Sequence, residues 1–220
     1  LFFTKLLIFT SLIFSSNIFN NSMFQIYKVD NKSTEILFNT PEISITKDIH
    51  GYLKFENSEL VGLSDQNEEF SFPVFSSAFQ MNPGFDYEID FEVINSYFIE
   101  NVNLKSLNDN SYDFLPQQNI NLSEPQIMRG LVLGQISFTP YKYDIDEKRL
   151  EVYDAVQIIV TETNQINYDY FIPEKKSYVF DELYKNFVIN FSTSDRSDDY
   201  QTPSILYICG GNSINNAYFQ

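Results

Sequence analysis

Cys209 and His50 are the only cysteine and histidine in the 220-residue chain, so they are the first residues to weigh as a catalytic pair. A thiol turns nucleophilic when a base stands within hydrogen-bond reach of it. Cys209 closes the apolar run Ile205–Cys209 while His50 lies far upstream, and nothing in the pattern brings them together. No catalytic residue is therefore expected. Asp144, Asp146 and Glu147 could offer oxygens to calcium, but their spacing lacks the remaining ligands of a calcium loop and reads as a solvated turn. No metal-binding residue and no cofactor is expected. A lone cysteine cannot close a disulfide within the chain, so it says little about redox compartment.

The net charge is −16, from 30 acidic and 14 basic residues, and no long acidic run concentrates it. Such a surface repels both a phosphate backbone and an anionic membrane, which need a basic stripe. The basic pairs Lys148-Arg149 and Lys175-Lys176 sit among Asp and Glu, so neither nucleic acid nor a membrane surface is an expected partner.

The elements that would position any site are mostly strands. With 22 Phe and 15 Tyr but three Ala, the chain is rich in residues that favour sheets and poor in the best helix former. Phe85–Val93 alternates Phe85, Tyr87, Ile89, Phe91 and Val93 with Asp86, Glu88, Asp90 and Glu92, the period of a half-buried strand. Leu150–Val160 repeats this pattern, and Asp154 interrupts it as a bulge or an edge would. Weaker candidates are Phe24–Val29, Glu35–Phe38, Tyr52–Phe55, Phe70–Phe75, Ile99–Leu107 and Leu131–Phe138. Thr139–Arg149 reads as a hairpin connection with a polar tip. The fold expected is all-β, an antiparallel sandwich over residues 24–191. It carries one short helix, because Phe180, Leu183, Tyr184, Phe187 and Val188 recur at helical spacing after Ser177, a candidate cap.

Both ends of the chain break this pattern. Lys5 precedes the apolar stretch Leu6–Phe14 and then Ser15-Ser16, the order of a signal peptide at 1–20 and too short a run to span a bilayer. Residues 192–203 are a polar linker. Beyond them Ile205–Cys209 is apolar at every position, as a strand covered on both faces would be, so 204–220 reads as the start of an α/β domain.

Two stretches resemble the propeptide of the gingipain-like cysteine peptidases. One is Phe72-Pro73-Val74 with Asn82-Pro83-Gly84 ahead of the Phe85–Val93 strand. The other joins Arg129-Gly130, Phe138-Thr139-Pro140-Tyr141-Lys142-Tyr143-Asp144 and Leu150–Val160. Residues 204–211 resemble the first strand of that family's caspase-like catalytic domain, and the likeness runs from about residue 65 to 220.

The resemblance implies a secreted bacterial zymogen. Its all-β propeptide would assist folding of its own downstream catalytic domain and block that domain's cleft until proteolysis, with the catalytic His and Cys lying beyond residue 220. It makes Arg196 in the linker, or Lys185, a candidate processing site, although either reads equally as a solvated charge. Arg129 could plug the specificity pocket, although a lone Arg beside Gly at a strand start is more often structural. Asn31, Asn121 and Asn190 head glycosylation triplets, to which a bacterial chain gives no role. The competing reading is a secreted β-sandwich binding or adhesion module fused to an unrelated α/β domain.

Overall fold

The computed structural model describes residues 23–55, 62–63, 72–104, 114–128, 131–165 and 178–192. The expected signal peptide, Ser177, the chain from residue 193 onwards and the run Ile205–Cys209 lie outside them. Strands appear at most of the places where the period-two alternation predicts them. In chain order they begin with β1 (Phe24–Val29), β2 (Ser33–Asn39), β3 (Ile45–Lys47), β4 (Leu53–Phe55), β5 (Gly62–Leu63), β6 (Pro73–Met81) and β7 (Phe85–Ile99). There follow β8 (Phe114–Leu115), β9 (Ile120–Leu122), β10 (Gln126–Met128), β11 (Leu131–Phe138), β12 (Tyr141–Asp144) and β13 (Arg149–Gln165), then the helix α1 (Tyr178–Phe187).

Among the described residues every pairing between these strands is antiparallel, and two larger sheets form. The first contains β1, β2, β13, β12, β8 and β7, and the second contains β10, β11, β6, β5 and β9. β13 is the spine of the first sheet. It pairs with β7 along nearly its whole length on one edge and with β2 and β12 on the other. The interruption at Asp154 is thus a bulge in a central strand, not an edge. The register against β7 slips on either side of Ala155, and Asn95 Nδ2 donates to Asp154 Oδ2 at 2.9 Å. The extra residue resets the alternation, which is why the neighbours Val152 and Tyr153 are both buried.

The sheets face each other across an aromatic core. Phe38 of β2 and Phe91 of β7 meet Phe138 of β11 with ring centroids 5.1 and 5.2 Å apart, both edge-on, the arrangement the ring quadrupole favours. Ile36, Val156, Ile158, Leu150 and Ile136 fill the space around them and are fully buried. Gly134 leaves room in β11 for two side chains, since a Cβ there would come within 2.9 Å of Met81 Sδ and 3.0 Å of Leu122 Cδ1 and would push them aside.

Several expectations shift. β7 continues to Ile99 and the chain then leaves the sheet, so residues 100–104 of the expected Ile99–Leu107 strand form none and the rest of it lies outside the described residues; Asn101 takes a left-handed turn, yet Val102 and Leu104 still bury their side chains. Val93, expected in the core, is 42% exposed, because it lies at the sheet edge beside the bulge. Tyr141–Asp144, expected within a connection, is the strand β12, and the turn proper is Ile145–Lys148.

Candidate functional site

The surface of interest lies where α1 covers the outer face of the second sheet. Leu131 and Leu133 of β11 point away from the inter-sheet core and pack with Tyr184 and Val188, while Ala78, Phe180, Phe187 and Phe191 close the cluster. Alternate residues of β11 therefore bury on opposite faces, one against the facing sheet and one against the helix. Tyr184 is the pivot. Its ring is fully buried among Phe180, Phe187 and Phe191, and its hydroxyl donates to the Met128 carbonyl at 2.6 Å. Tyrosine suits the place because an apolar body fills the cluster while the polar tip satisfies an edge carbonyl. Leu183, expected on the buried face, is 44% exposed.

The chain leaving the helix is held as firmly. Ile189 N–H donates to the Ala78 carbonyl at 3.0 Å, and the Asn190 side chain makes two bonds to the Gln80 backbone, accepting at 2.6 Å and donating at 2.8 Å. Ser192 N–H donates to Gln80 Oε1 at 3.2 Å. The segment that leads towards residue 193 is thus anchored to β6.

Tyr184 also holds the turn end of a short hairpin. β10 pairs with β11 through Gln126 and Leu133, Ile127 and Val132, and Met128 and Leu131. All three β10 residues are exposed. Between the paired Met128 and Leu131 the sequence places Arg129 and Gly130, which lie outside the described residues, as do Arg196 and Cys209.

The other candidates stand apart from this surface. His50 is an exposed residue of the β3–β4 turn, where its backbone N–H donates to Asp48 Oδ1 at 2.8 Å. Asp144 Oδ1 accepts from the Glu147 backbone N–H at 2.9 Å, and Glu147 pairs with Arg149 at 2.7 Å, so these groups build the turn. Among the described residues no group of three or more His, Cys, Asp or Glu could hold a metal ion. Lys185 lies on α1 and pairs with Glu182 at 2.5 Å; it would have to leave the helix to enter a protease cleft. Elsewhere burial, aided by the Glu162 carboxylate, pushes the Tyr87 hydroxyl up to about 12, and burial does the same to Tyr153.

The periodicity argument found the helix but missed the Tyr184 hydroxyl, the Asn190 clamp and β10. A tyrosine inside an otherwise apolar helical stripe was the available signal, because a buried phenol needs a partner.

This fold, an antiparallel two-sheet domain with one helix against its outer face, is shared with a solved structure. The complex of Porphyromonas gingivalis RgpB pro- and mature domains superposes with a TM-score of 0.55 at 19% identity, covering 77% of this chain and 97% of that one. A structure of gingipain K from the same organism, reported for its zymogenic latency, gives a TM-score of 0.47 at 12% identity over 64% of this chain and 92% of that one. No curated protein matches the chain. Residues 91–198 match the Propeptide_C25 family model. That match supports a C25 propeptide over these residues, the propeptide type of the gingipain-like cysteine peptidases, as the motifs around Phe138–Asp144 and Leu150–Val160 implied.

Proposed function

We propose that this chain is the front of an exported bacterial zymogen whose propeptide keeps its own downstream catalytic domain latent and assists its folding. In this reading residues 1–20 are the signal peptide, 24–191 the propeptide domain, 192–203 the linker, and 204–220 the start of the caspase-like domain. The observation that carries it is the propeptide match over residues 91–198. The shared fold with a complex of pro- and mature domains supports an intramolecular partner. Export leaves the domain free of the membrane, in keeping with the charge of −16 and with described helices too short to cross one.

Two arginines take roles in this account. Arg129 enters the specificity pocket: in the sequence it follows Met128, whose pairing with Leu131 brackets it between β10 and β11, and the Tyr184 hydroxyl holds the Met128 carbonyl next to it. A planar guanidinium suits a pocket lined by carboxylate or carbonyl oxygens. Arg196 is the processing site, because it follows the last anchored residue, Ser192, in a polar stretch. The test is to express the precursor with Arg129→Ala and Arg196→Ala separately. Arg129→Ala should show peptidase activity before cleavage, and Arg196→Ala should accumulate uncleaved precursor. A mature N-terminus inside residues 24–165, or full latency of the Arg129→Ala precursor, would contradict these assignments.

A further inference from the structure

Sheet edges display unpaired backbone groups, and proteins usually blunt them with short strands, lysines or prolines. Five of the six outer strands described in the two larger sheets follow that rule, β8 with two residues and β9 with three among them. β1 carries Lys28, which pairs with Asp30 and Glu35, while β10 has three residues and β5 two. β7 does not follow it. It runs 15 residues from Phe85 to Ile99 with no Lys, Arg or Pro, and among the described residues it pairs only with β13. Among the described residues no strand pairs with its other edge.

The side chains along β7 divide into two halves. In the first, Asp86, Glu88, Asp90 and Glu92 stand exposed on one face, and no described cation lies within ion-pair distance of them. In the second, Val93, Ile94, Tyr97 and Phe98 are 42%, 58%, 48% and 51% exposed and apolar groups show on both faces of the strand. The register sets the faces: Val93 and Tyr97 lie opposite the buried Val156 and Val152, and Phe98 lies opposite Glu151. An edge strand that is greasy on both faces and ungated resembles a sheet interior lacking its next strand.

We propose that β7 is a strand-docking surface for an extended polypeptide segment that adds to the sheet antiparallel to it. Antiparallel pairing places the N-terminal half of the occupant beside Val93–Ile99 and its C-terminal half beside Phe85–Glu92. The occupant is therefore apolar and β-branched first, then carries Lys or Arg at every second position, each facing a carboxylate across the new ladder. This surface is separate from the Arg129 hairpin and does not depend on the zymogen reading.

The test uses the full chain and a synthetic peptide of that design, labelled for fluorescence anisotropy. Two further copies of the peptide are N-methylated at alternate amides, one on the odd and one on the even positions. Along one edge only one of these sets faces β7, so one methylated peptide should lose binding and the other keep it. Glu88→Lys with Glu92→Lys should weaken the unmodified peptide about tenfold, since each opposed charge pair contributes modestly. Both residues are exposed, so an unchanged thermal midpoint shows that the variant is folded. Loss of binding by both methylated peptides, retention by both, or no binding of the unmodified peptide would overturn the proposal; retention by both would mean that charge attraction alone was at work.

Discussion

Phe138→Ala removes the ring at the centre of the contact between the sheets. Phe138 is fully buried, and its neighbours Phe38 and Phe91 stand on separate strands whose ladders hold them in place. The site cannot collapse around the gap. Losing the burial of one phenyl ring costs about 1.5–3 kcal/mol, and the unfilled cavity raises the total to about 4 kcal/mol, inside the usual range for this change. That is a large part of the roughly 5–15 kcal/mol that holds a domain together. Phe98→Ala is the matched control: its ring is 51% exposed under the Arg149 guanidinium at 4.5 Å, and its loss should cost less than about 1 kcal/mol. The chain has no Trp, so urea unfolding is followed by tyrosine fluorescence and circular dichroism. Midpoints for the two variants that coincide, at equal slopes, would refute the claim that the sheets are held together at Phe138.

Four further outcomes are expected. Tyr184→Phe removes the bond to the Met128 carbonyl and should cost about 1 kcal/mol, with faster hydrogen exchange confined to β10 and the start of β11; uniform exchange across the domain would contradict the anchoring of the hairpin by this hydroxyl. Asn190→Ala leaves the Gln80 N–H and carbonyl without their partner and should cost about 1–3 kcal/mol, and residues 189–192 should become accessible to limited proteolysis. Asp144→Ala should lower stability by about 1 kcal/mol without altering calcium response, since its oxygen closes the turn; a calcium-dependent melting shift in the wild type would reverse that reading. Tyr87 and Tyr153 hold their protons in the fold up to about 12, so the stability they confer is complete below the unfolded phenol value near 10 and falls as pH rises towards 12. Phenolate absorbance from these two rings at pH 10 in a chain with native circular dichroism would disprove it.

Where one face of a strand is wet and the other packed, the residues alone located the element. Phe24–Val29 and Leu131–Phe138 have the bounds the alternation predicts, and Asp154 announced its bulge. Of the pieces of two or three residues only β4 was located, within Tyr52–Phe55; β3, β5, β8, β9 and β10 were beyond reach, because a period is hard to read over so few positions and most of their ladders are set by distant partners. Leu131-Val132-Leu133 carries a sharper lesson. Three successive apolar residues are buried there on both faces, yet the strand belongs to the sandwich, because α1 supplies the second cover. Continuous apolarity at Ile205–Cys209 therefore does not by itself separate a new domain from another helix-covered strand, and the boundary at residue 204 rests on the family resemblance. The arginines of the candidate site were legible as residues but not as geometry, since only the pairing of Met128 with Leu131 brackets Arg129 between two strands.

The most direct measurement is to titrate this chain into the mature gingipain-type catalytic domain of its own precursor and follow peptide hydrolysis. The account predicts stoichiometric, reversible inhibition that Arg129→Ala weakens by at least about tenfold, the loss of one well-placed charged contact. Undiminished hydrolysis at saturating propeptide would contradict it.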